Sequence, residues 1–297
     1  MRVNPNLAPD MLISIAAAQQ AQSVAVQQIA TGRRVNLPSD DPAAAAALVQ
    51  NHERSAMNDR YTQSGNSLLG MMQSAESVLS SVIGEVSQAI SVGVEGATGT
   101  LSNSDRQTLA QQVSGTLESV VSQANTAYSG IHLFAGTAST TVPFTADPNT
   151  PYGYIYNGNS NVNSVSIGNG FQVQANLPGD QLFQNPSANL LGSLQQLVTA
   201  LQGGDTTAIG TATNQLRGAL DYVTQQRTFY GNVSSQINTQ ETFLQSESVN
   251  IKSDENTLVG VDLATAATNL SQAQIATTAT MSAAARVLQE NLLDYMK

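Results

Sequence analysis

The chain has 297 residues, enough for two or three domains with a buried core, yet only 11% are charged, 5% are aromatic and none is cysteine or tryptophan. With 11 Lys and Arg against 21 Asp and Glu its net charge is −10, which argues against nucleic acid and anionic membrane as partners, because both need clustered cations. The missing cysteines exclude disulfides, thiolate zinc sites and thiol nucleophiles together, and suit a chain that passes from cytosol to exterior without meeting folding oxidants.

The first residues lack a basic region, an apolar run and a small-residue cleavage site in succession, so no ordinary signal peptide is expected. Met11 to Gly32 carries no charge and repeats through Met11, Ile15, Ala18, Gln22, Ala25 and Ile29, a narrow stripe that a lone helix cannot hold in water without a partner helix. Gln19, Gln20, Gln27 and Gln28 interrupt it too often for a bilayer span. Gly32 is a stop signal, and Ser39-Asp40-Asp41-Pro42 restarts a helix with carboxylates near the free N–H groups and proline in the first turn. A helix is expected from Pro42 to Val92, with Leu68, Met72, Ala75, Leu79, Val82, Val86 and Ala89 on one face. Gly93, Gly96 and Gly99 end it, and a second helix from Asp105 to Tyr128 carries Leu109, Val113, Thr116, Val120 and Ala124.

From Thr140 to Phe183 the chain changes character. Pro143, Pro148, Pro151 and Pro178, the turn signals Asn157-Gly158 and Gly168-Asn169-Gly170, and alternation through Phe171, Val173, Ala175 and Leu177 predict a small β region. Tyr152, Tyr154 and Tyr156 also alternate and are expected to pack on one face of a strand. Helix resumes from Pro186 to Leu201 and breaks at Gly203-Gly204-Asp205. Ile209, Leu216, Val223, Tyr230, Ile237, Leu244, Ile251 and Leu258 then recur every seventh position, predicting a helix roughly 75 Å long. The repeat loses phase at Val259-Gly260-Val261-Asp262, before a charge-free segment from Leu263 to Ala285 whose stripe is read as Ala267, Leu270, Met281, Ala284 and Leu288.

The predicted fold is mainly α with a small β insert: a long antiparallel helical hairpin or coiled coil built from both chain ends, with the β domain at its tip. Residues 1–41 and 259–297 form a terminal coiled-coil domain, 42–137 and 185–258 a helical bundle, and 138–184 a β-rich outer domain. Leu263, Leu270, Met281 and Leu288 are the expected assembly seam, with Met11, Ile15, Ala18, Ala25 and Ile29 opposite. His52 and His132 stand 80 positions apart without a metal-ligand spacing, Asp40 and Asp41 read as helix caps, Gly168-Asn169-Gly170 lacks the following helix of a phosphate cradle, and no Gly-x-Ser-x-Gly elbow occurs. No catalytic residue, metal or cofactor is expected.

The run Gln28-Ile29-Ala30-Thr31-Gly32-Arg33-Arg34-Val35-Asn36-Leu37-Pro38-Ser39-Asp40-Asp41-Pro42-Ala43 resembles the N-terminal signature of the flagellin superfamily, with Gly32, Arg34, Asn36, Ser39, Asp40, Asp41 and Pro42 as its motif positions. Asp262-Leu263-Ala264, Ala285-Arg286-Val287-Leu288 and the ending Leu292-Leu293-Asp294-Tyr295-Met296 are similar to that superfamily's C-terminus. Tyr128-Ser129-Gly130-Ile131-His132-Leu133-Phe134-Ala135-Gly136, followed by Thr141-Val142-Pro143-Phe144, resembles the entry to its β domain. Pro42 and the Asp294-Tyr295 ending favour the members that join hook to filament over flagellin itself. The resemblance implies a structural component of the bacterial flagellum and no enzyme. It implies export without cleavage through the flagellar type III apparatus to the cell exterior, and a ring between hook and filament. The implied partners are copies of itself, the first hook-associated protein, flagellin and an export chaperone, with no nucleic acid, membrane or small-molecule substrate. Two other readings stay open: a flagellin filament subunit, or a secreted adhesin whose β insert and tyrosines bind carbohydrate above a coiled-coil stalk.

Overall fold

The computed structural model describes residues 7–295, with side chains over 9–286. By contacts the chain divides into two compact units, Met1–Met57 with Ser246–Lys297 and Asn58–Gln245. Its elements, in order, are α1 (Leu7–Thr31), α2 (Pro42–Gly96), α3 (Asn103–Ala124), β1 (Ala127–Tyr128), β2 (Ile131–His132), β3 (Phe144–Ala146), β4 (Tyr154–Tyr156), β5 (Ser164–Gly168), β6 (Phe171–Gln174), α4 (Gly179–Phe183), α5 (Leu190–Gly203), α6 (Thr206–Val259) and α7 (Leu263–Tyr295). The chain is therefore mainly α with a small β insert, as the periodicities predict.

In the unit Asn58–Gln245 the seven-residue rows become the core. Leu68, Met72, Ala75, Leu79, Val82, Val86 and Ala89 on α2 are at most 4% exposed, and they share one apolar cluster with Val113, Leu117 and Val120 of α3, Leu194 and Leu197 of α5, and Leu216, Val223, Tyr230 and Ile237 of α6. By length and composition α2 alone among the described helices could cross a bilayer; its row from Leu68 to Ala89 is instead taken up by this core. Local chemistry fixes the helix ends. Ser102 and Asp105 form a reciprocal capping box at the start of α3, and Gly204, at φ 73°, closes α5. Buried Arg106 donates to the carbonyls of Gly96 (3.1 Å) and Thr98 (2.9 Å), satisfying the end of α2.

The strands form three separate two-stranded antiparallel ribbons, β1–β2, β3–β4 and β5–β6. Phe144 of β3 anchors the second of these: its ring lies 5.2 Å from Tyr156 and 5.8 Å, edge-on, from Phe183 of α4, which meets Phe134 edge-on at 5.3 Å. The Tyr156 hydroxyl lies 2.9 Å from the Phe134 carbonyl and 3.1 Å from the Asn159 carbonyl, and burial pushes its pKa up to about 12. Tyr154 and Tyr156 pack on the same core while Ile155 between them faces solvent, as the alternation predicts; Tyr152, expected on the same strand face, precedes β4 in a turn and is half-buried there. Three local differences stand out. The helix expected from Pro186 begins at Leu190, capped by the Asn189 side chain accepting from the Gly192 N–H at 2.7 Å. The short α4 was not expected, and Phe171 of the alternating row is 40% exposed while Val173 and Ala175 are buried.

Candidate assembly surface

The unit formed by the two ends is built on α1 packed against α7. The contact is antiparallel: the Val261 N–H donates to the Gly32 carbonyl (3.1 Å), the Arg34 N–H donates to the Val259 carbonyl (2.7 Å), and Ala18 and Ala25 line one groove with Ala273 and Ala276. On α1 the row toward α7 is Met11, Ile15, Ala18, Gln22, Ala25 and Ile29, with Ala25 only 3% exposed and the others half-buried. On α7 it is Ala266, Leu270, Ala273, Thr277, Thr280 and Ala284, with Ala266 and Ala273 buried and the others half-buried. Both rows follow four-three spacing. Of the expected seam residues on α7, Leu270 lies in this row, Leu263 and Met281 are 57% and 47% exposed outside it, and Leu288 lies beyond the described side chains.

Thr277 and Thr280 sit in an apolar row because each hydroxyl donates back to a carbonyl of the preceding turn, Ala273 and Ala276, at 2.8 Å. The small side chains bury little surface, and the outer faces still show Leu12 (68%), Ile13 (67%), Val24 (40%) and Ile275 (66%) to solvent. No charge occurs from Met11 to Gly32 or from Leu263 to Ala285, so covering these faces desolvates no ion.

The motif Gly32–Pro42 forms the turn from α1 into α2 and is bonded to the α6–α7 joint. Gly32 takes φ 67°, a left-handed C-cap, and its N–H donates to the Gln28 carbonyl at 2.9 Å. Arg33 pairs with Gly260 in an isolated bridge and its guanidinium reaches Glu255 at 2.8 Å. Arg34 donates to Asp41 (3.1 Å) and to the Leu258 carbonyl (3.0 Å), and the Asn36 amide donates to the Arg33 carbonyl at 2.9 Å. Asp40 accepts from the N–H groups of Leu37 and Asn36, which hold its carboxyl below the ordinary range. Asp41 caps α2 by accepting from the Ala44 N–H at 3.0 Å, and that bond, with Arg34, lowers its pKa likewise. Pro42 is the first residue of α2, and Ser39 is exposed in the turn before it. Beneath this turn Val35, Ala44 and Val259 make a small core of their own. Asp262 caps α7, its pKa lowered first by the Thr265 hydroxyl at 2.7 Å and then by the Ala264 N–H. Spacing identified Asp41 as a capping carboxylate, whereas Asp40, read with it as a cap, instead bonds back to the N–H groups of Asn36 and Leu37 and braces the turn; Glu255, Leu258 and Val259, the partners of the arginines, left no local signal.

No group of three or more His, Asp or Glu side chains converges among the described residues.

Residues 4–139 match the model for the bacterial flagellin N-terminal helical region, and residues 208–296 match that for the bacterial flagellin C-terminal helical region. The chain is 36% identical over 122 residues to flagellar hook-associated protein 3 of Escherichia coli, 41% of this chain and 38% of that protein. It is 32% identical over 146 residues to the Salmonella typhimurium protein of the same name, 48% of this chain and 46% of that protein. The matches thus span less than half the length of these curated relatives. Among solved structures, a putative flagellar hook-associated protein from Vibrio parahaemolyticus superposes with TM-score 0.68 at 19% identity, covering 74% of this chain and 100% of that one. Flagellar hook associated protein-3 from Legionella pneumophila superposes with TM-score 0.64 at 14% identity, covering 71% and 98%. At these identities the superpositions establish a shared fold. With the N-terminal and C-terminal helical regions both present at the matching ends, and with the hook-associated proteins 3 among its relatives, the chain belongs to the bacterial flagellin family.

Proposed function

We propose that this chain is a structural subunit of the bacterial flagellum, outside the cell, forming a junction ring that connects the hook, through the first hook-associated protein, to the flagellin filament. The observation that carries this reading is the α1–α7 pair. Its seam of small residues buries too little surface to be a stable end in itself, and its outer faces combine exposed Leu12, Ile13, Val24, Leu263, Ile275 and Met281 with a complete lack of charge between Met11 and Gly32 and between Leu263 and Ala285. Such faces associate at little desolvation cost, and neighbouring copies repay the ordering of the ends. Met11, Ile15, Ala18, Ala25, Ile29 and Leu270 hold the pair together, and Leu263 and Met281 belong to the surface offered to neighbours.

In this reading 1–41 with 259–297 form the terminal assembly domain, 42–137 with 185–258 the bundle, and 138–184 an outer β-rich part. The chain is exported through the flagellar type III apparatus without cleavage, accompanied by a chaperone that covers its terminal stripes. Its role is mechanical rather than catalytic. The nearer alternative, a flagellin filament subunit, is favoured by the family models, which describe flagellin helical regions generally. Deleting the gene separates the two. Bare hooks with flagellin shed into the medium support the junction ring; bare hooks with no flagellin anywhere identify the filament subunit; normal filaments refute both.

A further inference from the structure

The sequence holds the dipeptide Asn-Gly at Asn157-Gly158 and at Asn169-Gly170, and the structure gives them opposite surroundings. Asn169 and Gly170 are the two-residue loop between β5 and β6, where Gly168 pairs with Phe171. Both are exposed, Gly170 takes φ 73°, and a Cβ placed on it would meet nothing within 4 Å. No hydrogen bond engages the Asn169 side chain among the described residues. Asn157 is tethered at both ends instead: its N–H donates to the Pro143 carbonyl (2.8 Å) and its side-chain amide donates to the Thr145 hydroxyl (2.8 Å). Gly158 is enclosed, since a Cβ there would collide with the Tyr156 ring at 2.4 Å and the Ala135 carbonyl at 2.8 Å.

We propose that Asn169-Gly170 is a site of spontaneous deamidation in the folded protein, with water as the co-reactant, and that Asn157-Gly158 is protected by its packing. The Gly170 backbone nitrogen attacks the Asn169 side-chain carbonyl carbon. A new C–N bond forms, the bond to the side-chain amide nitrogen breaks, and the Gly170 amide proton leaves with it as ammonia. Water then opens the resulting succinimide at either carbonyl, giving aspartate or isoaspartate. Glycine is the residue that permits this, because the attack needs a following nitrogen with no side chain in the way. The reacting groups at the β5–β6 tip must swing into line; the Gly168–Phe171 pair closes the turn around them, but no hydrogen bond holds the Asn169 side chain among the described residues. The same motion at Asn157 requires both of its hydrogen bonds to open and Gly158 to leave its enclosure. Each event adds a negative charge to a chain already at −10; the isoaspartate product also lengthens the backbone within the turn that sets the β5–β6 register.

The test uses the purified full-length protein held folded at mildly alkaline pH and physiological temperature, with a parallel sample in urea. Timed digests are read by mass spectrometry for conversion of amide to acid, and by enzymatic carboxyl methylation for isoaspartate. In the folded sample conversion at Asn169 is expected to outpace that at Asn157 by more than about tenfold, because reaching the reactive geometry at Asn157 needs local opening. In urea the two rates converge. Asn169→Gln removes the Asn169 signal, since the longer side chain closes its ring poorly. Equal rates at both sites in the folded sample, an Asn169 that reacts only in urea, or a signal that survives Asn169→Gln would each overturn the proposal.

Discussion

Gly260 is the residue on which the joint between α6 and α7 turns, and Gly260→Ala measures how much that joint contributes. A Cβ at this position would sit 2.3 Å from the Asn256 carbonyl oxygen and 2.7 Å from its side-chain oxygen, where ordinary contact needs about 3.5 Å, so the backbone must move by roughly an ångström. The side-chain oxygen can rotate away, but the carbonyl belongs to the last turn of α6. Movement there strains the Gly260 N–H bond to Asn256 (2.8 Å) and the two bonds that join the chain ends, Arg34 to Val259 and Val261 to Gly32. At about 1 kcal/mol each, these bonds are worth about 3 kcal/mol together, on the order of a hundredfold in the local opening equilibrium. Gly32→Ala is the control. Gly32 has open space around its Cβ position and only its φ of 67° to defend, a cost of about 1–2 kcal/mol. Hydrogen exchange read by mass spectrometry on peptides covering 30–36 and 258–264 reports both. Wild-type protection in Gly260→Ala, or greater loss in Gly32→Ala, refutes the reasoning.

Leu270→Asp places a carboxylate in the α1–α7 row and is expected to abolish motility in a complementation assay while leaving the thermal transition of 58–245 intact, since no residue of that unit's core lies on α7. Restored motility would remove Leu270 from the assembly set. Phe183→Ala empties a fully buried site shared with Phe134 and Phe144 and is expected to cost roughly 3–5 kcal/mol in denaturant unfolding; a shift below 1 kcal/mol on the same scale would mean that α4 does not anchor the β3–β4 ribbon. Asp40, Asp41 and Asp262 have lowered pKa values, so the folded chain binds fewer protons than the unfolded one. Their contribution is complete above the ordinary carboxylate range and is lost as the pH falls below about 4. Acid titration followed by circular dichroism should show the ends opening in that window, with a smaller pH dependence in Asp41→Asn.

The long helix was legible because its signal is redundant: Ile209, Leu216, Val223, Tyr230, Ile237, Leu244 and Ile251 are all buried, and the helix runs Thr206–Val259 around them. The α2 row and the Asp40-Asp41-Pro42 restart were legible for the same reason, each resting on several residues that agree. On α7 that redundancy is missing. Alanine and threonine fill most positions from Leu263 to Ala285, so several registers are equally apolar. Large residues such as Met281 attract a reading based on hydrophobicity, whereas close approach of two helices selects Ala266, Ala273, Thr277 and Thr280. Threonines that bond their own backbone count as small residues there. Burial of Arg106 was equally hidden, because its partners are carbonyls at the end of a different helix.

The link from Arg33 to Glu255 joins positions 222 apart in the chain. During synthesis, or during passage through any channel that admits an unfolded chain end first, the row Met11, Ile15, Ala18, Ala25 and Ile29 therefore exists long before Leu270 and Ala273 arrive to cover it. Closing so long a loop in an unstructured chain costs on the order of 5 kcal/mol in entropy, more than a seam of alanines readily returns. The two ends consequently meet last, and any truncation that removes α7 leaves the α1 row uncovered on a segment that carries no charge from Met11 to Gly32.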